Sequence, residues 1–158
     1  MRKLFAKLLY NKMSSDENIY FITADLGFGL FDEIKKDFPS RFYNTGAAEQ
    51  AAMGVAVGLA LSGKTPVLYS ITPFLLFRAA ETIRNYVNHE VIGVKLIASG
   101  RGDDYKHDGF SHYAGDDKHF IELFKSVIPK WPEDDNEMVD CFNDMFSTDK
   151  PYYLNLKR

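Results

Sequence analysis

The sequence predicts an α/β domain of three layers, with helices on both faces of a largely parallel sheet. The chain has 158 residues, 46% hydrophobic and 26% charged, which is typical of one globular domain. Short runs rich in β-branched and aromatic residues alternate with runs of helical periodicity, and this alternation favours βαβ units. No linker, repeat or low-complexity tract interrupts the sequence, so we assign residues 1–158 to a single domain.

The first half of the chain is predicted to alternate strands and helices. Apolar residues at helical spacing, beginning with Leu4 and Phe5, place a helix at the start. Pro39 stops one later helix and Gly63 ends another. The elements that follow the first helix are a strand at Ile19–Thr23, a helix at Phe31–Phe38, a strand at Arg41–Asn44, a helix at Ala47–Leu61, a strand at Thr65–Ile71 and a helix from Pro73 to about Asn88.

The second half continues the alternation around one long polar loop. The predicted elements are a strand at Val91–Ala98, the loop Ser99–Gly115, a helix at Lys118–Lys125, a strand at Ser126–Pro129, a helix at Asp134–Phe146 and a strand at Pro151–Lys157. Ligands of parallel α/β sheets bind beyond the carboxyl ends of the strands. We therefore expect functional residues directly after Thr23, Asn44, Ser70 and Ala98.

Composition and charge narrow the class of protein. The net charge is −3, which gives no basic face for nucleic acid. The single Cys141 cannot form a disulfide within the chain and suits a reducing compartment. The apolar stretch Ala51–Leu61 is about half of the ~20 residues that a membrane helix needs. We expect a cytoplasmic protein that binds neither nucleic acid nor membrane.

Glu49 stands out because it lies in the first turn of a helix made almost entirely of small and apolar residues. Acids are favoured near helix N-termini by the dipole, and Gln50 could serve the cap, so a structural role is one interpretation. A carboxylate at the mouth of a tightly packed helix would also be partly desolvated, and such a group usually has a partner. Both interpretations are open from the residues alone.

The segment around Glu49, NTGAAEQ, resembles the pyrimidine-binding (Pyr) domain of transketolase-like thiamine diphosphate enzymes. The resemblance implies that Glu49 binds N1′ of the cofactor's aminopyrimidine and activates the cofactor. It also implies that Asp25, in TADLG, lies near the cofactor and that Phe74 and Phe77 stack on the aminopyrimidine. Core packing is the alternative for the two phenylalanines. Ala80 stands where the family often has a further aromatic residue.

The segment HDGFSHYAGDD resembles the loop of the same family that reads D-G-P-T-H-Q. The resemblance implies that Asp108 contacts a substrate hydroxyl and that His112 is a catalytic residue over the reacting centre. Phe110, Ser111 and Tyr113 depart from the family pattern and leave the substrate open.

Two arginines are candidates for binding an anionic substrate group. Arg158 matches the arginine of the family's P-x-x-L-x-L-x-R strand, which can bind phosphate. Arg101 replaces the family's histidine after the fourth strand, and its planar fork could bind phosphate or carboxylate. A solvated surface arginine is the alternative for Arg101, and a frayed terminus is the alternative for Arg158. His107 and the neighbouring aspartates match no established metal motif, so we predict no metal site in this chain.

The family's cofactor also needs a diphosphate anchor, which relatives provide through Mg2+ on a separate PP domain. No G-D-G…N motif of that kind occurs here, and neither does the family's third domain. We expect the Pyr subunit of a split transketolase-like transferase that binds thiamine diphosphate. A separate PP subunit would hold most of the Mg2+ contacts, and two Pyr chains would pair within a heterotetramer.

The expected reaction is transfer of a two-carbon ketol unit between sugars or sugar phosphates. Three alternatives remain: a non-catalytic Pyr-fold regulatory subunit, a thiamine diphosphate enzyme acting on a 2-oxo acid, and a metal-dependent hydrolase that uses the His/Asp loop.

Overall fold

A six-stranded sheet forms the middle layer of the computed structural model, which describes residues 1–158. Its order is β2-β1-β3-β4-β6-β5, and every neighbouring pair of strands is parallel. The strands are β1 Ile19–Thr23, β2 Phe42–Asn44, β3 Thr65–Ile71, β4 Lys95–Ser99, β5 Ile128–Lys130 and β6 Tyr152–Leu156. The three central strands β3, β4 and β6 are almost completely buried, as expected for a sheet covered on both faces.

Helices cover both faces of the sheet. They are α1 Arg2–Ser15, α2 Asp32–Asp37, α3 Glu49–Leu61, α4 Thr72–Phe77, α5 Ala80–Thr82, α6 Asp117–Ile121 and α7 Asp135–Phe146. One core of 18 buried residues lies between the sheet and α3, α4 and α6, and a second of 17 lies between the sheet and α1, α2 and α7. The near-equal cores confirm the predicted three-layer α/β/α fold. None of the helices is long and apolar enough to cross a membrane.

The carboxyl ends of the strands meet at one edge of the sheet. Thr23 is in register with both Asn44 and Tyr69, and Ser99 is in register with both Ile71 and Leu156. The loops after β1, β2, β3 and β4 therefore leave from the same edge. These loops carry the residues that the sequence marked as functional.

Several predicted elements have different bounds in the structure, and two differ substantially. The helix expected from Pro73 to Asn88 is divided into α4, α5 and a π-helical segment at Ile83–His89. The fourth strand begins at Lys95 instead of Val91, because Val91 has a φ of 56° that no strand residue adopts. Gly93 then lies so close to Asp149 that a Cβ would overlap its carbonyl oxygen.

Candidate functional site

Glu49 is a buried acid held by two side chains from other elements. Only 2% of its surface is exposed, although it is the first residue of α3. Ser70, near the end of β3, donates a hydrogen bond to Glu49 Oε1 at 3.1 Å. Arg78 donates to Glu49 Oε2 at 2.7 Å and forms an ion pair with it. Gln50 donates to Thr82 instead of capping the helix. The carboxyl group of Glu49 is likewise committed to tertiary contacts.

An aromatic ring and an imidazole extend this arrangement. The guanidinium carbon of Arg78 lies 3.8 Å from the centroid of the Phe74 ring, which is a close cation–π contact. The ring of His112 meets Phe74 edge to face, with the centroids 4.8 Å apart. Contacts therefore run without interruption from Glu49 through Arg78 and Phe74 to His112. We call these four residues the acid–aromatic cluster.

The position of Glu49 follows from the turn that leads into α3. Gly46 adopts a φ of 67°, a left-handed conformation that glycine reaches without strain, and the helix begins at Glu49 instead of Ala47. The side-chain oxygen of Asn44 accepts hydrogen bonds from the backbone N–H groups of Gly46 and Asp25, each at 3.0 Å. Asn44 therefore ties the loop after β1 to the turn before α3. Asp25 itself is exposed, with a φ of 52°.

The loop that carries Asp108 and His112 is closed at its base. An isolated bridge joins Gly102 to Ala114, where the Ala114 N–H donates to the Gly102 carbonyl at 3.0 Å. A hydrogen bond of 3.1 Å joins His112 Nδ1 to the hydroxyl oxygen of its neighbour Ser111. The carboxylate of Asp108 lies 3.2 Å from His107 Nε2 and contacts no member of the acid–aromatic cluster.

Phe77 lies one helical turn from Phe74 but packs elsewhere. Its ring is edge to face with Phe120 of α6, at 4.8 Å between centroids, and 42% of the residue is exposed. Of the two predicted stacking residues, only Phe74 belongs to the acid–aromatic cluster.

Arg101 is engaged by protein acceptors. Its guanidinium donates to the side chain and carbonyl of Asn155, to the carbonyl of Pro132 and to the carboxylate of Glu133, at 2.6–3.2 Å. Burial lowers the pKa of the Arg101 guanidinium, and the nearby Glu133 carboxylate opposes that shift. The structure therefore places Arg101 in a buried polar network instead of the acid–aromatic cluster.

Asp117 is the centre of that network. Its Oδ2 accepts hydrogen bonds from Trp131 Nε1, the Tyr153 hydroxyl and Asn155 Nδ2, at 2.7–2.9 Å. Asn155 thus bonds to both Arg101 and Asp117, which lie on either side of the loop 102–114.

Arg158 lines a cavity outside the acid–aromatic cluster. Its guanidinium stacks on the ring of Tyr105 at 4.8 Å, and Arg2 donates to the Tyr105 hydroxyl at 3.1 Å. With Lys3, these residues line a cavity of about 570 Å³ that includes three cationic side chains and no acidic one. The Tyr69 ring approaches Gly27 of the cavity wall, and its buried hydroxyl has no hydrogen-bond partner.

No three His, Cys, Asp or Glu side chains converge to form a possible metal site. His107 and Asp108 form a pair, and the buried Asp117 bonds to neutral donors.

Two residues of the site lay outside the sequence prediction. Arg78 is the only charged residue between Thr65 and Ala80, and it follows Phe74 at the i, i+4 spacing that brings helical side chains together. That isolation was a usable signal. Arg2 gave no signal, because its contact with Tyr105 depends on how α1 crosses the sheet edge.

The parallel sheet, with a buried acid joined through an arginine to an aromatic ring near its carboxyl edge, defines an α/β domain with a polar and aromatic cluster where such folds bind ligands. The sequence matches the transketolase, pyrimidine binding domain family over residues 1–158. The chain belongs to this family, which confirms the resemblance found in its motifs. Membership of this family implies dependence on thiamine diphosphate.

Individual relatives agree with this assignment. The chain is 31% identical to a Methanocaldococcus jannaschii protein named "Putative transketolase C-terminal section", over 100% of this chain and 50% of the relative. It is 31% identical to a 1-deoxy-D-xylulose-5-phosphate synthase of Syntrophomonas wolfei subsp. wolfei, over 99% of this chain and 24% of that enzyme.

A solved structure extends the agreement to three dimensions. A protein described as a split gene transketolase, inactive beta4 tetramer, superimposes with a TM-score of 0.86 at 30% identity, over 99% of this chain and 51% of that one. The chain therefore spans about half the length of the Methanocaldococcus jannaschii relative and of the split gene transketolase, and about a quarter of the synthase.

Proposed function

We propose that this chain is the Pyr subunit of a split, thiamine diphosphate-dependent transketolase. In this proposal it transfers a two-carbon ketol unit between sugars or sugar phosphates, and a second chain with a PP domain completes the active site. The acid–aromatic cluster is the observation that carries the proposal. The match to a relative described as a split gene transketolase supports the division into subunits.

The cluster fits the aminopyrimidine end of the cofactor. The planar, nitrogen-rich guanidinium of Arg78 lies against the Phe74 ring and donates to Glu49, so the same two residues can hold an aminopyrimidine that takes its place. The chain offers no cluster of acids for a divalent cation. We therefore propose that the partner chain holds most of the Mg2+ and diphosphate contacts.

Each site residue has a distinct role in this proposal. Glu49 holds a proton at N1′ of the aminopyrimidine, and Ser70 fixes the carboxyl group for that task. Phe74 supplies the stacking face, with Phe77 and Asp25 at the rim. When bound, thiamine diphosphate supplies the nucleophilic carbon that carries the transferred unit. His112, in edge contact with Phe74, moves protons on the substrate's oxygens.

The substrate is proposed to be a sugar phosphate. Asp108 is exposed on the same loop as His112, where it can accept a hydrogen bond from a sugar hydroxyl. The cationic cavity beside Arg158 has the charge to hold a phosphate group. Arg101 is left out of the proposed substrate contacts, because protein acceptors already occupy its guanidinium.

The proposal is tested by assembling the chain with a PP-type partner encoded in the same genome. We expect a complex that binds thiamine diphosphate and converts a ketose donor and an aldose acceptor into new sugars. Glu49→Gln should lower the turnover number by about 100-fold or more, because proton transfer at a fixed group typically contributes that much. The measurement is sugar exchange followed by chromatography.

Glu17→Gln is the matched control, because Glu17 is exposed and has no partner in the structure. This variant should keep full activity. Full activity in the Glu49→Gln complex would contradict the role proposed for Glu49. A complex that assembles and binds the cofactor but never turns over would favour a regulatory Pyr subunit.

A 2-oxo acid reaction is the second candidate. It is supported by the relative named 1-deoxy-D-xylulose-5-phosphate synthase, which is as similar to this chain as the transketolase section is. The two candidates separate in one assay, because decarboxylation of a 2-oxo acid releases CO2 and ketol transfer does not.

A further inference from the structure

We propose that Arg78 is a placeholder for the cofactor, whose guanidinium occupies the aminopyrimidine subsite and has to leave before the cofactor can bind. This inference rests on the proposed function, since it takes the subsite to be the space between Glu49 and Phe74. It adds a residue that competes with the cofactor instead of contacting it.

The geometry of Arg78 matches what an aminopyrimidine needs. The guanidinium is planar and lies 3.8 Å from the Phe74 ring centroid, which is the separation of two groups in van der Waals contact. Its Nη1 donates to Glu49 Oε2 at 2.7 Å. Because a second planar group cannot enter between surfaces already in contact, the arginine and the aminopyrimidine exclude each other on this face of Phe74.

The surroundings allow Arg78 to leave while the acid stays in place. The side chain of Arg78 is 44% exposed and follows the last residue of α4, so it can rotate into solvent without disturbing the core. Glu49 is 2% exposed and keeps the hydrogen bond from Ser70. The acid is therefore fixed and the arginine is the movable partner.

The placeholder has a physical purpose. A buried carboxylate without a partner is costly, so Arg78 stabilises Glu49 in the cofactor-free chain. The same contact lowers the apparent affinity for the cofactor, because the intrinsic affinity is multiplied by the fraction of time that the subsite is open. If Arg78 occupies the subsite about nine-tenths of the time, that reduction is about tenfold.

The test uses the full chain and the pyrimidine half of the cofactor, 4-amino-5-hydroxymethyl-2-methylpyrimidine, titrated by NMR. Arg78→Ala should bind it about tenfold more tightly than the wild type, and the shifted resonances should include the Phe74 ring and the Glu49 carboxyl carbon. Arg78→Lys keeps a charge near Glu49 but cannot lie flat on Phe74, so its affinity should fall between the two. Arg84→Ala is the control, because Arg84 is exposed and its side chain hydrogen-bonds to Asn85, outside the acid–aromatic cluster; its affinity should equal that of the wild type.

Methylguanidinium provides a second probe that does not depend on the cofactor. It should bind Arg78→Ala beside Phe74 and leave the wild type unchanged, and it should compete with the pyrimidine. This readout also shows whether the variant is folded.

The outcomes separate the two proposals. Binding of the pyrimidine by the wild type with equal or weaker binding by Arg78→Ala would overturn the placeholder and leave the proposed function standing. Binding of methylguanidinium but not of the pyrimidine to Arg78→Ala would overturn both, because the vacated space would then not be a pyrimidine subsite.

Discussion

Lys95 is a buried cation on the side of the sheet opposite the acid–aromatic cluster. The residue is 1% exposed, and its Nζ donates to the carbonyl oxygens of Thr148 and Lys150, each at 2.7 Å. Burial disfavours the charged form and lowers the pKa of Lys95 from 10.5 to about 8, against the opposing charge of Asp149. The amine therefore anchors the turn before β6 at an electrostatic cost.

This cost predicts a pH dependence of stability. Between pH 8 and 10.5 the unfolded chain holds more protons at Lys95 than the native chain does, so this residue's contribution to the free energy of unfolding rises with pH. The free energy of unfolding of the wild type minus that of Lys95→Met should therefore become more positive from pH 7.5 to pH 9.5. Urea denaturation at each pH measures it.

Lys125→Met is the matched control, because Lys125 is exposed and bonds to no other side chain. Its difference from the wild type should not change over the same pH range. A Lys95→Met difference that is equally flat would contradict the lowered pKa.

Single residues also show what the sequence could reveal about the site. Glu49, Phe74 and His112 were predicted from motifs, and the structure brings all three into one set of contacts. The isolation of Arg78 in the sequence marked it as unusual, but its pairing with Glu49 is a tertiary contact between two elements and could not be predicted. The engagement of Arg101 by Asn155 and Pro132 was equally inaccessible, because those residues come from distant parts of the chain.

At the scale of elements, the loop 102–114 depends on a buried amide. Asn155 of β6 accepts from Arg101 Nε at 3.2 Å and donates to Asp117 Oδ2 at 2.8 Å, so it holds both sides of the loop. Asn155→Ala should lower the free energy of unfolding by about 1–3 kcal/mol, because it leaves buried polar groups unpaired. Amide hydrogen exchange within residues 102–114 should also become faster.

Asn85→Ala serves as the comparison, since Asn85 is only partly buried and its side chain contacts only Arg84. Stability and exchange in that variant should match the wild type. Unchanged exchange of the loop in Asn155→Ala would show that the Gly102–Ala114 bridge is enough to hold it.

The elements themselves were predictable to the extent that local pattern decides them. The strands and helices occur in the predicted order, and α3 and β3 end at the predicted residues, although several other bounds differ. The division of the helix after β3 was not predictable from periodicity, because an α-helix and a π-helical segment both turn Ile83 and Val87 toward the core. The late start of β4 was not predictable either, because neither the positive φ of Val91 nor the close approach of Gly93 to Asp149 is encoded in the local pattern.

At the scale of the whole molecule, we predict that the outer face of α3 is a contact surface for another chain. Gly54 and Gly58 are exposed on it, beside the half-exposed Val55, and a Cβ at either glycine would meet no other atom within 4 Å. Gly58→Ala should stabilise the isolated chain by about 0.5–1 kcal/mol, because alanine loses less entropy in a helix. In an assembly that packs on this face, the same change should weaken association, because glycine permits the closest approach of backbones.

Analytical ultracentrifugation and thermal unfolding of the same protein measure both effects. Gly29→Ala is an unsuitable comparison because Gly29 has a φ of 72°. Asn143→Ala raises helix propensity at an exposed residue of α7, on the other face of the sheet, and should leave association unchanged. Stronger association of Gly58→Ala would place the contact surface elsewhere.

The order of the strands also constrains how the molecule comes together in time. β6 lies between β4 and β5, and β5 pairs only with β6. During synthesis β5 therefore leaves the ribosome before its only neighbour exists, and β4 presents an open edge until residues 152–156 arrive. The sheet cannot be completed progressively from one side, so its final closure waits for a strand inserted into the interior, and the nascent chain is exposed to misassociation until that step.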